Sequence, residues 1–307
     1  CLLSNPKSLP SKYFYDKRGN EIFEEIMNLD EYYVTDCEYE ILNTYKDEFL
    51  KLFSNHFSKE FQLIELGAGD ASKTKILLAH FIEGFNQFSY SPIDLSLDSI
   101  NNLKNSLANE FPNLQVNEFV LDYFEAIDSI NKDSNGASKI IMLLGSSLGN
   151  LSKAELKKFL MELHERLKEK DFVLFGFDLK KNPYTILNAY NDHSGVTSDF
   201  NLNLLSRINT ELDADFNING FYHYPNYDPV SGEAKSYLIS KFDQEVYLKS
   251  VKTKITFRKH EPIFMEVSKK FDTIEIESLA KYHGFTVFMN FFDKQNFYCN
   301  SIWIKTS

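Results

Sequence analysis

Phe61-Gln62-Leu63-Ile64-Glu65-Leu66-Gly67-Ala68-Gly69-Asp70-Ala71-Ser72-Lys73-Thr74 is the stretch on which the fold turns. Residues 61–66 are a short apolar run that stops at Gly67-Ala68-Gly69, the pattern of a buried strand feeding a tight turn. Residues 71–84 then take helical spacing, with Ser72 and Lys73 early in the helix. The two glycines remove Cβ, so a ligand can lie against the backbone, and the helix start offers N–H groups that have no intrahelical partner. A turn of this kind serves dinucleotide binders as well, and a plain strand–helix connection has the same look.

The strands that follow discriminate. Residues 90–95 predict a second strand that ends at Asp94, 25 residues after Gly69, and residues 97–111 a helix. Residues 116–121 predict a third strand ending at Asp122-Tyr123, and residues 139–144 a fourth, followed by Gly145-Ser146-Ser147-Leu148-Gly149-Asn150. Ser152 and Glu155 form a capping box ahead of a helix over about 153–168, and residues 172–177 give a fifth strand. Alternation of this kind means a parallel sheet with helices on both faces. A carboxylate at position 94 can accept both hydroxyls of a ribose. Asp122 can take an exocyclic adenine amine while Tyr123 covers the ring. Three successive strand ends that each present a nucleoside-reading group look like the S-adenosylmethionine (SAM) site of class I methyltransferases. The missing full GxGxxG and the second acid at Asp122 count against a nicotinamide cofactor.

Elsewhere the pattern differs. Residues 21–27 and 38–53 read as helices, joined by a tyrosine-rich loop over 30–36, and Tyr13-Phe14-Tyr15-Asp16 lies upstream. These tyrosine segments suit a lid or pocket wall. The alternation breaks over 183–268, where helices at 183–190 and 200–212 precede strands at 223–227, 236–243 and 245–256. Residues 235–257 alternate as half-exposed antiparallel strands do. A helix at 273–283 and strands at 286–292 and 296–304 close the chain, the usual ending of class I methyltransferases. The fold class is therefore α/β, a Rossmann-like class I SAM-dependent methyltransferase sheet with an inserted α+β substrate domain. Residues 45–182 and 269–307 are expected to form the SAM-binding domain, and residues 1–44 and 183–268 the substrate-binding domain.

Composition narrows the partners. A formal net charge of −11 over 307 residues leaves no basic stripe for phosphates or anionic lipid, so neither nucleic acid nor membrane is an expected partner. Cys1, Cys37 and Cys299 form no CxxC and no metal-ligand spacing, which suits a reducing compartment and predicts no metal. With no apolar run long enough for a membrane helix and no apolar core in CLLSNPKSLP to mark a secretory signal, a cytoplasmic monomer acting on a small molecule is expected.

Two further motifs carry chemistry. The amide of Asn150 can accept a hydrogen bond from a substrate amine, which suits methyl transfer to nitrogen. In Phe264-Met265-Glu266-Val267-Ser268-Lys269-Lys270-Phe271, Glu266 and Ser268 share one side if the segment is a strand, and a carboxylate and a hydroxyl two apart could grip a ring with two nitrogens. Taken alone, each is equally an ordinary turn residue or a solvated strand face.

LPSKYFYDKRGNEIFEEI, EYYVTDCEYEIL, LIELGAGDASKTKILL, LLGSSLGNLSKAEL, LNAYNDHSGVTSDFNLNLL and EVSKKF occur in this order. Together they resemble the histidine-specific, SAM-dependent Nα-methyltransferase family, whose members convert L-histidine to its trimethyl betaine, hercynine, in ergothioneine biosynthesis. The resemblance spans about residues 9–285, and its tyrosine loops and EVS lie outside the generic SAM fold. It implies that Tyr15 lies near the cofactor, and that Gly67, Lys73, Asp94, Asp122 and Tyr123 bind it. It implies Tyr32 and Tyr190 for the substrate carboxylate and Asn150 for the α-amino group. Glu266 and Ser268 fall to the imidazole nitrogens, and Phe200 to an aromatic wall. Ser236 stands where the family often has a methionine against the imidazole, GAGD replaces GSGT, and Val34 replaces a proline. The reaction so implied is in-line displacement by a neutral amine, driven by positioning and needing no dedicated base. The rival readings are an enzyme of the same fold acting on another amino acid or small amine, and a SAM-binding module without turnover.

Overall fold

The computed structural model describes residues 1–57, 60–85, 87–133, 137–169 and 171–306; the expected domain end at Ser307 lies outside them. Among the described residues the strands are β1 (Lys7–Ser8), β2 (Phe61–Leu66), β3 (Phe88–Ile93), β4 (Gln115–Val116), β5 (Ser138–Leu143), β6 (Phe172–Asp178), β7 (Phe221–Asp228), β8 (Glu233–Ser240), β9 (Gln244–Leu248), β10 (Thr253–Phe257), β11 (Pro262–Lys269), β12 (Phe285–Phe292) and β13 (Tyr298–Lys305). The helices are α1 (Lys17–Met27), α2 (Tyr33–Thr44), α3 (Lys46–His56), α4 (Thr74–Gly84), α5 (Leu97–Glu110), α6 (Tyr123–Asp133), α7 (Lys153–Arg166), α8 (Pro183–Ala189), α9 (Val196–Leu212) and α10 (Thr273–Tyr282). The chain divides into two compact units, Cys1–Thr35 with Lys180–Lys270, and Asp36–Leu179 with Phe271–Ser307. No described helix is long and apolar enough to cross a membrane.

The second unit holds a seven-stranded sheet in the order β12-β13-β6-β5-β2-β3-β4. Strands β4, β3, β2, β5 and β6 run parallel, and β13 and β12 complete the sheet antiparallel. This is the class I methyltransferase architecture that the strand–helix alternation implies. The apolar runs of the central strands are buried, as a sheet covered on both faces requires. Ile64, Ile141, Leu160, Phe175 and Trp303 share one core. Trp303 is fully buried, stacked on Phe177 with centroids 5.8 Å apart and edge-on to Phe175 at 4.8 Å. The sheet order reverses between β2 and β5, which places a crevice at their carboxyl ends, where α/β proteins bind ligands.

Two elements of this unit depart from expectation. The strand expected over 116–121 is only Gln115–Val116. Tyr90 and Pro92 offer their carbonyls to Asn117 and Phe119 at 2.9 and 3.0 Å, but Pro92 has no N–H to return on that side, so the ladder lapses. The helix expected over 38–53 is two, α2 and α3, broken at Tyr45, and α2 begins at Tyr33 inside the expected loop.

The first unit contains a four-stranded sheet, β1-β11-β8-β7, and the hairpin β9-β10. The hairpin replaces the single strand expected over 245–256, because Lys252 turns the chain through a left-handed conformation, φ 50°. Helix α9 and the sheet bury Phe200, Leu204, Leu238, Ile263 and Met265 in one core. A bulge interrupts β11. Ile263 pairs with Leu238 and Phe264 with Tyr237, but Glu266, not Met265, pairs with Ser236, and Ser268 with Ala234. Paired residues point to the same face, and Ala234, Ser236 and Leu238 are all buried. The extra residue therefore turns Glu266 and Ser268 from the face shared with Phe264 to the buried one.

Candidate functional site

In the second unit the residues expected to read a nucleoside lie after β2 and β3 and at the start of α6. Gly67 and Gly69 take left-handed φ values of 72° and 54°. A Cβ on Gly67 would come within 2.8 Å of the Tyr123 hydroxyl, whereas nothing lies within 4 Å of the Cβ position on Gly69. The turn is thus closed on one side by Tyr123 and open on the other. Asp94 ties the turn to β3: its Oδ2 accepts the Gly69 N–H at 3.2 Å and its Oδ1 the Ser96 N–H at 2.9 Å. Each oxygen keeps a second lone pair for a hydroxyl. Asp122 caps α6 by accepting the Phe124 N–H at 3.0 Å. Burial, with the Asp94 and Asp122 carboxylates beside it, pushes the Tyr123 phenol up to about 12, so it stays a neutral donor. Lys73 precedes α4 and donates to Glu38 at 2.5 Å. Asn150 is exposed at the end of the 3-10 turn Ser147–Asn150. An open glycine cradle, a strand-end carboxylate and a lysine fit the nucleoside and the amino-acid end of SAM.

Beneath the turn lies Glu65, almost fully buried. Burial pushes its carboxyl up to about 7, against hydrogen bonds from Tyr90 and Thr74 and the charge of Lys73.

In the first unit the bulge in β11 brings Glu266 and Ser236 together, the Ser236 hydroxyl donating to Oε1 at 3.5 Å. Ser268 and Tyr190 are joined by Lys270, whose fully buried side chain donates to Ser268 Oγ at 2.9 Å and to Tyr190 Oη at 2.7 Å. Sequence reasoning missed Lys270, although it continues the polar spacing of Glu266 and Ser268. Tyr190 also caps α8, and its carbonyl lies 2.9 Å from His223 Nε2. Phe200 meets Tyr15 at 5.8 Å and Phe23 at 5.8 Å, and Phe23 meets Tyr32 at 6.4 Å. Tyr15, which the resemblance puts near the cofactor, therefore shares one aromatic cluster with Phe200 and Tyr32. Asp192 organises the start of α9, accepting from the Val196 and Thr197 N–H groups and from Ser194 Oγ at 2.7–2.9 Å. Burial acts to raise its pKa, but those hydrogen bonds outweigh it and hold the carboxyl at about 2.

A family described as histidine-specific methyltransferase, SAM-dependent, matches residues 1–305. A histidine N-alpha-methyltransferase of Mycobacterium tuberculosis is 32% identical over 88% of this chain and 82% of its own length. That of Mycolicibacterium smegmatis is 31% identical over the same shares. Ergothioneine biosynthesis protein 1 of Neurospora crassa is 28% identical over 89% of this chain, a region that is 30% of its own length. The glycine turn, the acid at the end of β3 and sequence kinship agree, and this chain belongs to the histidine-specific, SAM-dependent methyltransferase family.

Proposed function

We propose that this protein transfers the methyl group of SAM to the α-amino nitrogen of L-histidine, and repeats the step to give the trimethyl betaine hercynine. The observation that carries the substrate assignment is the buried polar face of β11. Lys270 is an ammonium, which only donates, so Ser268 must accept from it, and the Ser268 hydroxyl proton points elsewhere. Glu266 offers an acceptor two residues away on the same face. One acceptor and one donor are the complement of a neutral imidazole, with its N–H toward Glu266 and its bare nitrogen toward Ser268. A ring without those groups would strand both partners.

The remaining polar groups of histidine have matching residues. Tyr32 and Tyr190 are assigned to the carboxylate, with the Lys270 ammonium against the Tyr190 hydroxyl favouring it as a donor. Asn150 holds the amine through its amide oxygen, so the nitrogen lone pair is left for attack. SAM supplies an electrophilic methyl on a sulfonium. A nearby positive charge lowers the pKa of the amine, so the nucleophile is neutral without a dedicated base. Tyr15, Gly67, Lys73, Asp94, Asp122 and Tyr123 are assigned to SAM, and Phe200 to the aromatic wall of the substrate pocket.

One observation favours a second reading. Ser236 is small, fully buried and in direct register with Glu266, so the floor of the pocket is polar. A small amine other than histidine, carrying a hydrogen-bonding side chain, suits such a floor. Mass spectrometry of each amino acid incubated with the protein and SAM tests both readings. Mono-, di- and trimethylated histidine are expected. Methylation of another amino acid with histidine untouched would overturn the assignment.

A further inference from the structure

One fully buried acid has no part in the scheme above. Glu38 lies on α2 and is 0 % exposed. Its Oε2 accepts from Lys73 Nζ at 2.5 Å and from the Gly145 N–H at 2.8 Å. Its Oε1 accepts from Tyr298 Oη and from Asn300 Nδ2, both at 3.0 Å. A buried carboxylate without partners is strongly disfavoured, and here its lone pairs are filled from three separate parts of the second unit. The neighbouring strand makes room for it. A Cβ on Gly176, in the middle of β6, would collide with Glu38 Oε1 and with the Tyr298 hydroxyl. A glycine inside a strand weakens it, so the space is kept at the expense of the strand.

A purely structural acid would be expected to pair with groups as buried as itself. Lys73 is instead 21% exposed, and Glu38 is fully enclosed behind it. Lys73 and Gly145 follow β2 and β5, the two strands between which the sheet order reverses. Gly145 and Ser146 hold left-handed φ values of 72° and 58°, so this turn needs its N–H anchored. Ser146 Oγ in turn accepts the Asp178 N–H at 2.9 Å.

We propose that Glu38 is a positioning residue for the methyl donor: it fixes the Lys73 ammonium and the Gly145 turn, so that the carboxylate of the methionine end of SAM meets a cation already in place. This rests on the assignment of Lys73 to SAM. An ammonium has three donors, so Lys73 can serve Glu38 and a ligand carboxylate together. Without Glu38 the long lysine side chain regains its rotamers, and the Gly145 N–H loses its acceptor. Both effects fall on the methionine end of the ligand and spare the adenosine end, which Asp94 and Asp122 are assigned to read.

Isothermal titration calorimetry of the full chain with SAM, S-adenosylhomocysteine and 5′-methylthioadenosine tests this. The last ligand keeps adenine, ribose and sulfur but has no amino-acid end. Glu38→Gln is expected to weaken SAM and S-adenosylhomocysteine by about tenfold or more, the range of one charge-assisted hydrogen bond, and to leave 5′-methylthioadenosine within about twofold. Lys73→Met should give the same selective loss. The double variant should be little worse than either single one, since the two residues act as one unit. Equal weakening of all three ligands, or no weakening of SAM, would overturn the proposal. If Glu38→Gln does not fold, Tyr298→Phe decides in the same assay, because it removes one donor and leaves the charge: selective loss supports the proposal and no selective loss overturns it. Wild-type protein that binds neither SAM nor its demethylated product would refute the SAM assignment itself, which is a different result.

Discussion

Burial pushes the Glu266 carboxyl up to about 7, while the Lys270 ammonium and the Ser236 hydroxyl draw it back. The folded chain therefore keeps a proton that the unfolded chain sheds from about 4.5 upward. Stability should fall as pH rises through that window, since the unfolded state then binds fewer protons. Urea titrations at several pH values should show the limb, to which Glu65 contributes as well, and Glu266→Gln should reduce its slope. In catalysis above pH 7, where Glu266 is ionised, Glu266→Ala should raise the histidine KM by roughly tenfold to a hundredfold, the range of a lost hydrogen bond to a charged group of about 1.5–3 kcal/mol. SAM affinity should be unmoved. Wild-type kinetics in that variant would mean that the residue is merely a strand carboxylate. Legibility at this scale depends on how local the signal is. Gly67, Asp94 and Asp122 could be read because each directly follows an apolar run. Glu38 could not: it sits in Asp36-Cys37-Glu38-Tyr39-Glu40, which reads as a solvated helix face. Its partners lie 35, 107, 260 and 262 residues away.

Among the elements, α9 depends on a cap set outside its first turn. Asp192 is 7% exposed and holds the Val196 and Thr197 N–H groups. Its folded pKa of about 2 against an ordinary 3.8 means that its contribution is complete above 3.8 and is lost as pH falls through about 2. Asp192→Ala should lower stability at neutral pH by ~2 kcal/mol, read as an earlier urea midpoint, and should lose that deficit under strong acid. The apolar spacing predicts the helix only from 200, four residues late, because Gly195 hides the cap that Asp192 provides. The strand β11 shows a different limit. Straight alternation puts Ile263, Met265 and Val267 on one side and Glu266 and Ser268 on the other, the solvated reading. One extra residue at Met265 reverses the second half of the strand, and no feature of Phe264-Met265-Glu266 announces it. The register of the partner strand decides, and that information lies thirty residues upstream at Ser236.

At the scale of the whole molecule, the parallel sheet and its antiparallel close were legible because strand and helix periods differ and alternate over more than a hundred residues. The first unit was harder, since its strands are amphipathic and its turns carry little signal; Lys252, which makes the β9-β10 turn, is not a usual turn residue. A ligand that binds only the folded chain stabilises it by about 2.7 kcal/mol at a hundredfold excess over its Kd. SAM should therefore raise the melting temperature, and an unchanged melt at saturating SAM would count against the assigned cofactor site. The placement of Trp303 determines what such a melt reports. It is the single tryptophan of the chain, sealed in the core of the second unit against the rings of Phe175, Phe177 and Phe285. Excited selectively, its indole is a fluorophore for that unit alone: a red shift of its emission times the opening of the SAM fold, while the tyrosine-rich first unit stays dark to the measurement.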